Sequence, residues 1–390
     1  MKILKKLKWL FFIIGAFLLG MVAGIFHDAD VFFKLGKAFN TTPWYYYLIL
    51  FVLCFYVTLA VHELTHFFYF VTHKIKGKAL YLTALLFVKR DSKWRLKFVP
   101  KMFMLLGGLV VPDLNKIESE EDYEREVKVF AGSLISAPIA TIIFGVLFFI
   151  VELLVVFISS NILLIGLFTI SFIFIELFTI LYVLASTVSS TVAYGDFPAY
   201  KKMKEDKKFQ LAQIVQYLSF SSNITEKTED FIFCKVVSML KNENNFYDQF
   251  SMMLLQYYIE EVVFANKKIV PELDEKILSL SGSRLINSDA GLQLYCCKLY
   301  YVYSNIDANI ALNSFMKMET RFNSERVSTY WKLKTKHLLN ISDESIFLSD
   351  DKNIETDKMS FIFKPLFDYY QEEKDTIVRL KPKIIQEKIE

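Results

Sequence analysis

The feature that most limits how this chain can fold is the length of its apolar runs. A helix needs about twenty predominantly apolar residues to cross a hydrocarbon core of roughly 30 Å. Four stretches reach that length, at about 9–26, 44–71, 129–157 and 162–185, and all lie in the first half of the 390 residues. Residues 200–390 are mixed and charged instead. With 54% apolar residues, 38 of them Phe, and only 13 glycines, neither an ordinary soluble domain nor a disordered chain fits. The expected architecture is mostly α: a polytopic membrane protein with about four transmembrane helices in residues 1–199, followed by a cytosolic helical domain in 200–390. The first run follows Lys2, Lys5, Lys6 and Lys8 as a signal peptide would. It is long, however, and no small-x-small cleavage site precedes His27, so retention as a helix is expected.

Lys and Arg in short loops set the orientation. The N-terminal tail is basic, whereas the 28–43 loop sets only Lys34 and Lys37 against Asp28 and Asp30. The segment after the second run is strongly basic, from Lys74 to Lys101, and Lys201, Lys202 and Lys204 follow the fourth. This pattern places both termini and residues 72–128 in the cytoplasm. The Lys-, Ile-, Phe- and Asn-rich composition points to a bacterial genome, hence a multi-pass protein of the bacterial cytoplasmic membrane. Between the second and third runs the period changes to two, with Lys93, Arg95 and Lys97 alternating with Trp94, Leu96 and Phe98. That is the pattern of a half-buried strand. Leu80–Val88 is its expected partner across a turn at Arg90-Asp91-Ser92, making a small β element at the membrane surface.

Beyond residue 200, amphipathic helices are expected at Phe209–Tyr217, Asp230–Leu240, Asp248–Phe264, Ala290–Ser304, Asn309–Phe322 and Glu325–Leu339, with Gln293–Tyr303 as core. A cytosolic protein partner suits such a module. A net charge of +3 gives no basic field for nucleic acid. Cys54, Cys234, Cys296 and Cys297 contain no C-x-x-C pair, which argues against a disulfide scaffold or zinc ribbon.

The second run contains His62-Glu63-Leu64-Thr65-His66. On a helix the two histidines, four residues apart, share a face and can reach one ion. Glu63 sits beside that ion's water, placed to act as general base. Zinc would lower the water's pKa toward neutrality. A polar seam between helices is the bland alternative, but two histidines and a glutamate are costly in lipid and mark a functional site. His27, His73 and His337 read as solvated surface residues. Glu176, in the middle of the fourth run, needs a partner and is a candidate third ligand.

In this setting the sequence resembles the site-2 protease family of intramembrane zinc metalloproteases, over about residues 44–200. The resemblance rests on His62-Glu63-Leu64-Thr65-His66, on the stretch from Leu106-Gly107-Gly108-Leu109-Val110 to Phe130-Ala131-Gly132-Ser133-Leu134-Ile135-Ser136, and on Gly195-Asp196. It implies Zn2+ held by His62, His66 and Asp196, with Glu176 as the alternative third ligand and Ser136 in support. Ser133 and Ser136 replace the family's usual Pro and Asn, and Phe197 follows the aspartate where glycine is usual. For Asp196 to reach the histidines the chain must break and fold back after the fourth helix. The implied activity is hydrolysis of peptide bonds in or near membrane segments of a peptide or protein substrate. The alternative is a catalytically degenerate metal-binding protein acting as an accessory or immunity factor. A transporter is a poorer fit, since no internal repeat is visible.

Overall fold

In the computed structural model, residues 31–384 are described, apart from 92, 106, 191–193 and 223. The expected helix at 9–26 and His27 lie outside the described residues. The chain forms two compact units, one comprising the residues up to Thr65 with Ser136–Thr187, the other His66–Ile135 with Val188 onward.

The first unit holds α1 (Val31–Thr41), α4 (Ile162–Ala185) and the larger parts of α2 (Trp44–Thr72) and α3 (Glu120–Ile158), whose remaining turns belong to the second. Among the described residues α2, α3 and α4 are long and apolar enough to cross a membrane. The ends of α2 and α4 fall almost where the apolar runs end. α3 starts nine residues earlier than its run, since Glu120, Glu121 and Asp122 form a polar first turn that suits the positive end of the helix dipole. Asn161 caps α4, its side chain accepting from the Leu164 amide at 3.2 Å.

α1 corrects the reading of 28–43 as a loop. Val31 and Ala38, two turns apart, are buried with Val156 and Ile165. Thr42 Oγ1 donates to the Ala38 carbonyl at 2.8 Å. That hydroxyl lies where a side chain at Gly166 would begin, 2.1 Å from an ideal Cβ, so only glycine lets α1 and α4 approach this closely. A second cluster gathers Cys54, Ile175 and Phe178. Leu48, Ile143, Leu147 and Ile180 point outward and are exposed, as lipid-facing residues would be.

The second unit holds a four-stranded antiparallel sheet in the order β3-β2-β1-β4. Its strands are β1 (Lys76–Leu82), β2 (Leu85–Arg90), β3 (Lys93–Phe98) and β4 (Gly108–Asp113). The expected continuous strand Leu80–Val88 is two strands. Leu82 pairs with Leu85 across a two-residue turn in which Thr83 takes φ 48°. The Gly-rich stretch after Leu106 forms β4 and pairs with β1. β3 is an edge strand, and Trp94, Leu96 and Phe98 are exposed instead of half-buried. The inner face packs Ala79, Tyr81, Leu86, Val88 and Val111 on Phe220, Ile362 and Leu366.

Helices α5 (Asp196–Glu205), α6 (Lys207–Leu218), α7 (Glu226–Asn242), α8 (Gln249–Val263), α9 (Asp289–Tyr301), α10 (Ala308–Met318) and α11 (Arg326–Leu338) follow. Tyr295, Cys296, Cys297, Leu299, Tyr300 and Tyr301 on α9 are at most 2% exposed, so the Tyr- and Cys-rich stretch is core. All four cysteines are free thiols. Burial, only partly opposed by Thr335 and Lys334, pushes the Cys296 thiol up to about 12, which keeps it protonated and unreactive.

Candidate metal centre

α2 stays helical through His62-Glu63-Leu64-Thr65-His66, so the histidines stand one turn apart on one face. Glu63 lies about 100° further round the same turn. All three are at least 92% buried, with exposures of 6%, 6% and 8%.

Each imidazole has a defined hydrogen bond at Nδ1. His62 Nδ1 lies 3.0 Å from Thr141 Oγ1, and that hydroxyl donates to the Ala137 carbonyl at 2.9 Å. Having given its proton to Ala137, the hydroxyl accepts from His62, which places the ring proton on Nδ1. His66 Nδ1 lies 2.9 Å from the Ser133 carbonyl, which can only accept. Its proton is therefore on Nδ1 as well, with Ser133 Oγ beside it at 3.2 Å. Both neutral rings then carry their lone pair on Nε2, the tautomer a metal-ligating histidine adopts.

Asp196 is the first residue of α5. The chain leaves α4 at Ala185 and reverses: Ser189 pairs with Tyr194, and the Gly195 amide donates to the Val188 carbonyl at 2.8 Å. Tyr194 is anchored by Phe209 at 5.7 Å and Phe250 at 6.0 Å between ring centroids, with the Lys202 ammonium 5.1 Å from its ring centre. The reversal brings Asp196 Oδ1 to 3.6 Å from His66 Nε2. One ligand atom from each of His62, His66 and Asp196 lies within 4.8 Å of the others. Two lone-pair nitrogens and a carboxylate converging this closely are a donor set that suits zinc. The set fits the cation that the motif implies.

Glu176 is not part of this group. It lies on α4 over Gly145, where its Oε1 would be 3.0 Å from an added Cβ, and that oxygen is buried with no hydrogen-bond partner. Tyr182, two turns on, stacks on the His62 ring at 5.8 Å between centroids. Glu152 accepts from Thr169 and is otherwise enclosed in the first unit. His73 is exposed, as expected, and stacks on Tyr69. His337 is not a solvated surface residue: it is 6% exposed and accepts the Glu344 amide at 3.3 Å. The residues that sequence reasoning passed over are Thr141 and Ser133 as partners of the histidines. Their one visible signal is a hydroxyl on an otherwise apolar helix.

A family model described as Peptidase family M50 matches residues 50–318. The match runs well past residue 200, where the resemblance read from motifs ended, and takes in α5 to α10. No curated protein and no solved structure gives a significant match.

Proposed function

The chain belongs to peptidase family M50, the site-2 protease family, and from that premise we propose that it is an intramembrane zinc endopeptidase. Its substrate is a peptide bond in or near a membrane segment of a peptide or protein. The observation that carries this reading is the approach of Asp196 Oδ1 to His66 Nε2, 3.6 Å apart, on a helix that also presents His62 and Glu63.

Zinc, when held by His62, His66 and Asp196, supplies the Lewis acidity that brings a water's pKa toward neutrality. Thr141 and the Ser133 carbonyl hold the imidazoles in the required tautomer. To Ser136, one turn after Ser133 on α3, we assign the supporting role that the family resemblance implies. Glu63 removes the proton of the attacking water and returns it to the amide nitrogen as the carbon–nitrogen bond breaks. The water oxygen stays on the carbonyl carbon, giving a carboxylate and an amine. A helical amide is shielded by its own hydrogen bonds, so the substrate must unwind locally before attack.

In this reading residues 1–199 form the membrane protease part and 200–390 a cytosolic helical part that can engage a protein partner. Both termini face the cytoplasm of a bacterial cell, and the bilayer is the working solvent. The test is Glu63→Gln in the full-length protein with a membrane-embedded reporter peptide. Cleavage should fall by on the order of 10²–10⁴, with zinc content and thermal unfolding unchanged. Undiminished cleavage in that variant would remove Glu63 from the mechanism.

A further inference from the structure

A cleft of about 570 Å³ in the second unit lies between the sheet and the segment around Phe367, its charged lining being Lys76, Lys78, Lys89, Arg90 and Arg95 against Asp91, Asp113 and Asp368. We propose that it binds a phosphate-bearing anion, and that this anion is the headgroup of an acidic phospholipid.

The charges in the cleft are unevenly compensated. Asp91 is engaged by Arg95 at 3.1 Å. Asp113, which accepts the Ser222 amide at 2.6 Å, and Asp368 keep their charge, so five cations face three carboxylates. The other cations have neutral partners: Arg90 donates to the carbonyl of Phe367 at 2.8 Å, and Lys78 to the Ser222 hydroxyl at 2.6 Å. Lys76 and Lys89 form no ion pair among the described residues. Neutral acceptors hold these side chains in place without cancelling their charge, so a net positive concavity remains. Lys97, on the neighbouring strand, feels it: burial first, then Arg90 and Arg95, hold its ammonium below the usual lysine range. Several cations around one concavity suit a phosphate-bearing oxyanion, whose unesterified oxygens can each meet a separate donor.

Position selects the source. β1 begins four residues after α2 ends, a reach of no more than about 14 Å. The cleft is therefore close to the end of a membrane-spanning helix. β3 presents Arg95 and Lys97 to one side and Trp94, Leu96 and Phe98 to the other, where they are 47%, 62% and 63% exposed. A hairpin edge whose exposed apolar side chains sit beside Lys89, the register partner of Trp94, fits the headgroup layer, where the apolar side chains enter the acyl boundary and the cations meet phosphates. A soluble phosphate compound would have no use for the exposed tryptophan and phenylalanine.

The experiment is calorimetric titration of the full-length protein in neutral detergent with dihexanoyl phosphatidylglycerol, dihexanoyl phosphatidylcholine and tripolyphosphate. Saturable binding of phosphatidylglycerol, at least tenfold tighter than phosphatidylcholine, is expected. It should weaken at least tenfold in the Lys76→Gln/Lys89→Gln double variant. Lys201→Gln/Lys204→Gln, with the same charge change elsewhere, should leave it unaltered. Equal thermal unfolding of the variants separates lost binding from lost fold. Tight tripolyphosphate binding without preference for phosphatidylglycerol would overturn the lipid assignment in favour of a soluble phosphate. Absence of saturable binding, or equal loss in both double variants, would overturn the site.

Discussion

The two units solve opposite problems with the same residue types. The first turns Leu48, Ile143, Leu147 and Ile180 outward and holds His62, Glu63 and Thr141 inside. The second buries Tyr258, Tyr295, Tyr300 and Leu299 and leaves most of its charges at the surface. Buried polar groups therefore mean different things in the two. Among the C-terminal helices they are structural: Lys298 donates to the carbonyls of Leu278 and Leu280 at 2.8 and 2.6 Å, and Lys334 meets Glu373 and Thr376 at 3.0 and 2.8 Å. The buried imidazoles of His62 and His66 lie instead on a helix long and apolar enough to cross a membrane, where polar side chains are costly and mark a functional site.

The contrast is broken most directly by one leucine from each unit. Leu299→Ala, at 1% exposure, should cost about 2–5 kcal/mol in equilibrium unfolding. Leu147→Ala, 56% exposed on α3, should change unfolding in bilayer-like medium by less than about 0.5 kcal/mol. Equal losses would mean that Leu147 packs against protein and that the outward face of α3 is not lipid-facing.

A smaller effect sharpens the idea that polar groups inside the first unit serve the site. Thr141→Val keeps the shape and removes the acceptor that His62 Nδ1 uses. Zinc affinity, measured by competition with a chelator, should fall roughly 10- to 100-fold while thermal unfolding of the metal-free protein stays put. Unchanged affinity would make the Thr141 contact incidental.

The smallest effect concerns the second unit alone. Burial, with Glu229 nearby, raises the Glu261 carboxyl from 4.5 to about 7. Between those values the unfolded chain has released the proton and the folded chain retains it. Stability therefore falls as pH rises from 4.5 to about 7 and is level beyond. Glu261→Gln should flatten that slope in thermal unfolding. A slope identical to wild type would place the titration elsewhere.

How much of this was legible in the sequence depends on how local each feature is. The bounds of α2 and α4 follow from apolar length, and the spacing of His62 and His66 follows from helical pitch. α1 was missed because its two buried contacts, Val31 and Ala38, meet Val156 and Ile165, more than a hundred residues away. The break at Thr83 was missed because Leu80–Val88 is apolar on both sides of it, and only a backbone turn marks the reversal. β3 alternates as a half-buried strand does, yet its apolar face is open, a difference that no residue pattern encodes. Thr141 and Ser133 lie 79 and 67 residues from the histidines they hold. Asp196 was readable only through family order, since the Ser189–Tyr194 reversal that delivers it depends on Phe209 and Phe250 behind it.

The central claim is that His62, His66 and Asp196 hold one zinc ion. It is tested most directly by the metal content of the full-length protein purified in detergent, for wild type, His66→Ala, Asp196→Ala and Glu176→Ala. The account predicts close to one zinc per chain in wild type and Glu176→Ala, and loss in the other two. Zinc that survives Asp196→Ala and disappears with Glu176→Ala would contradict it.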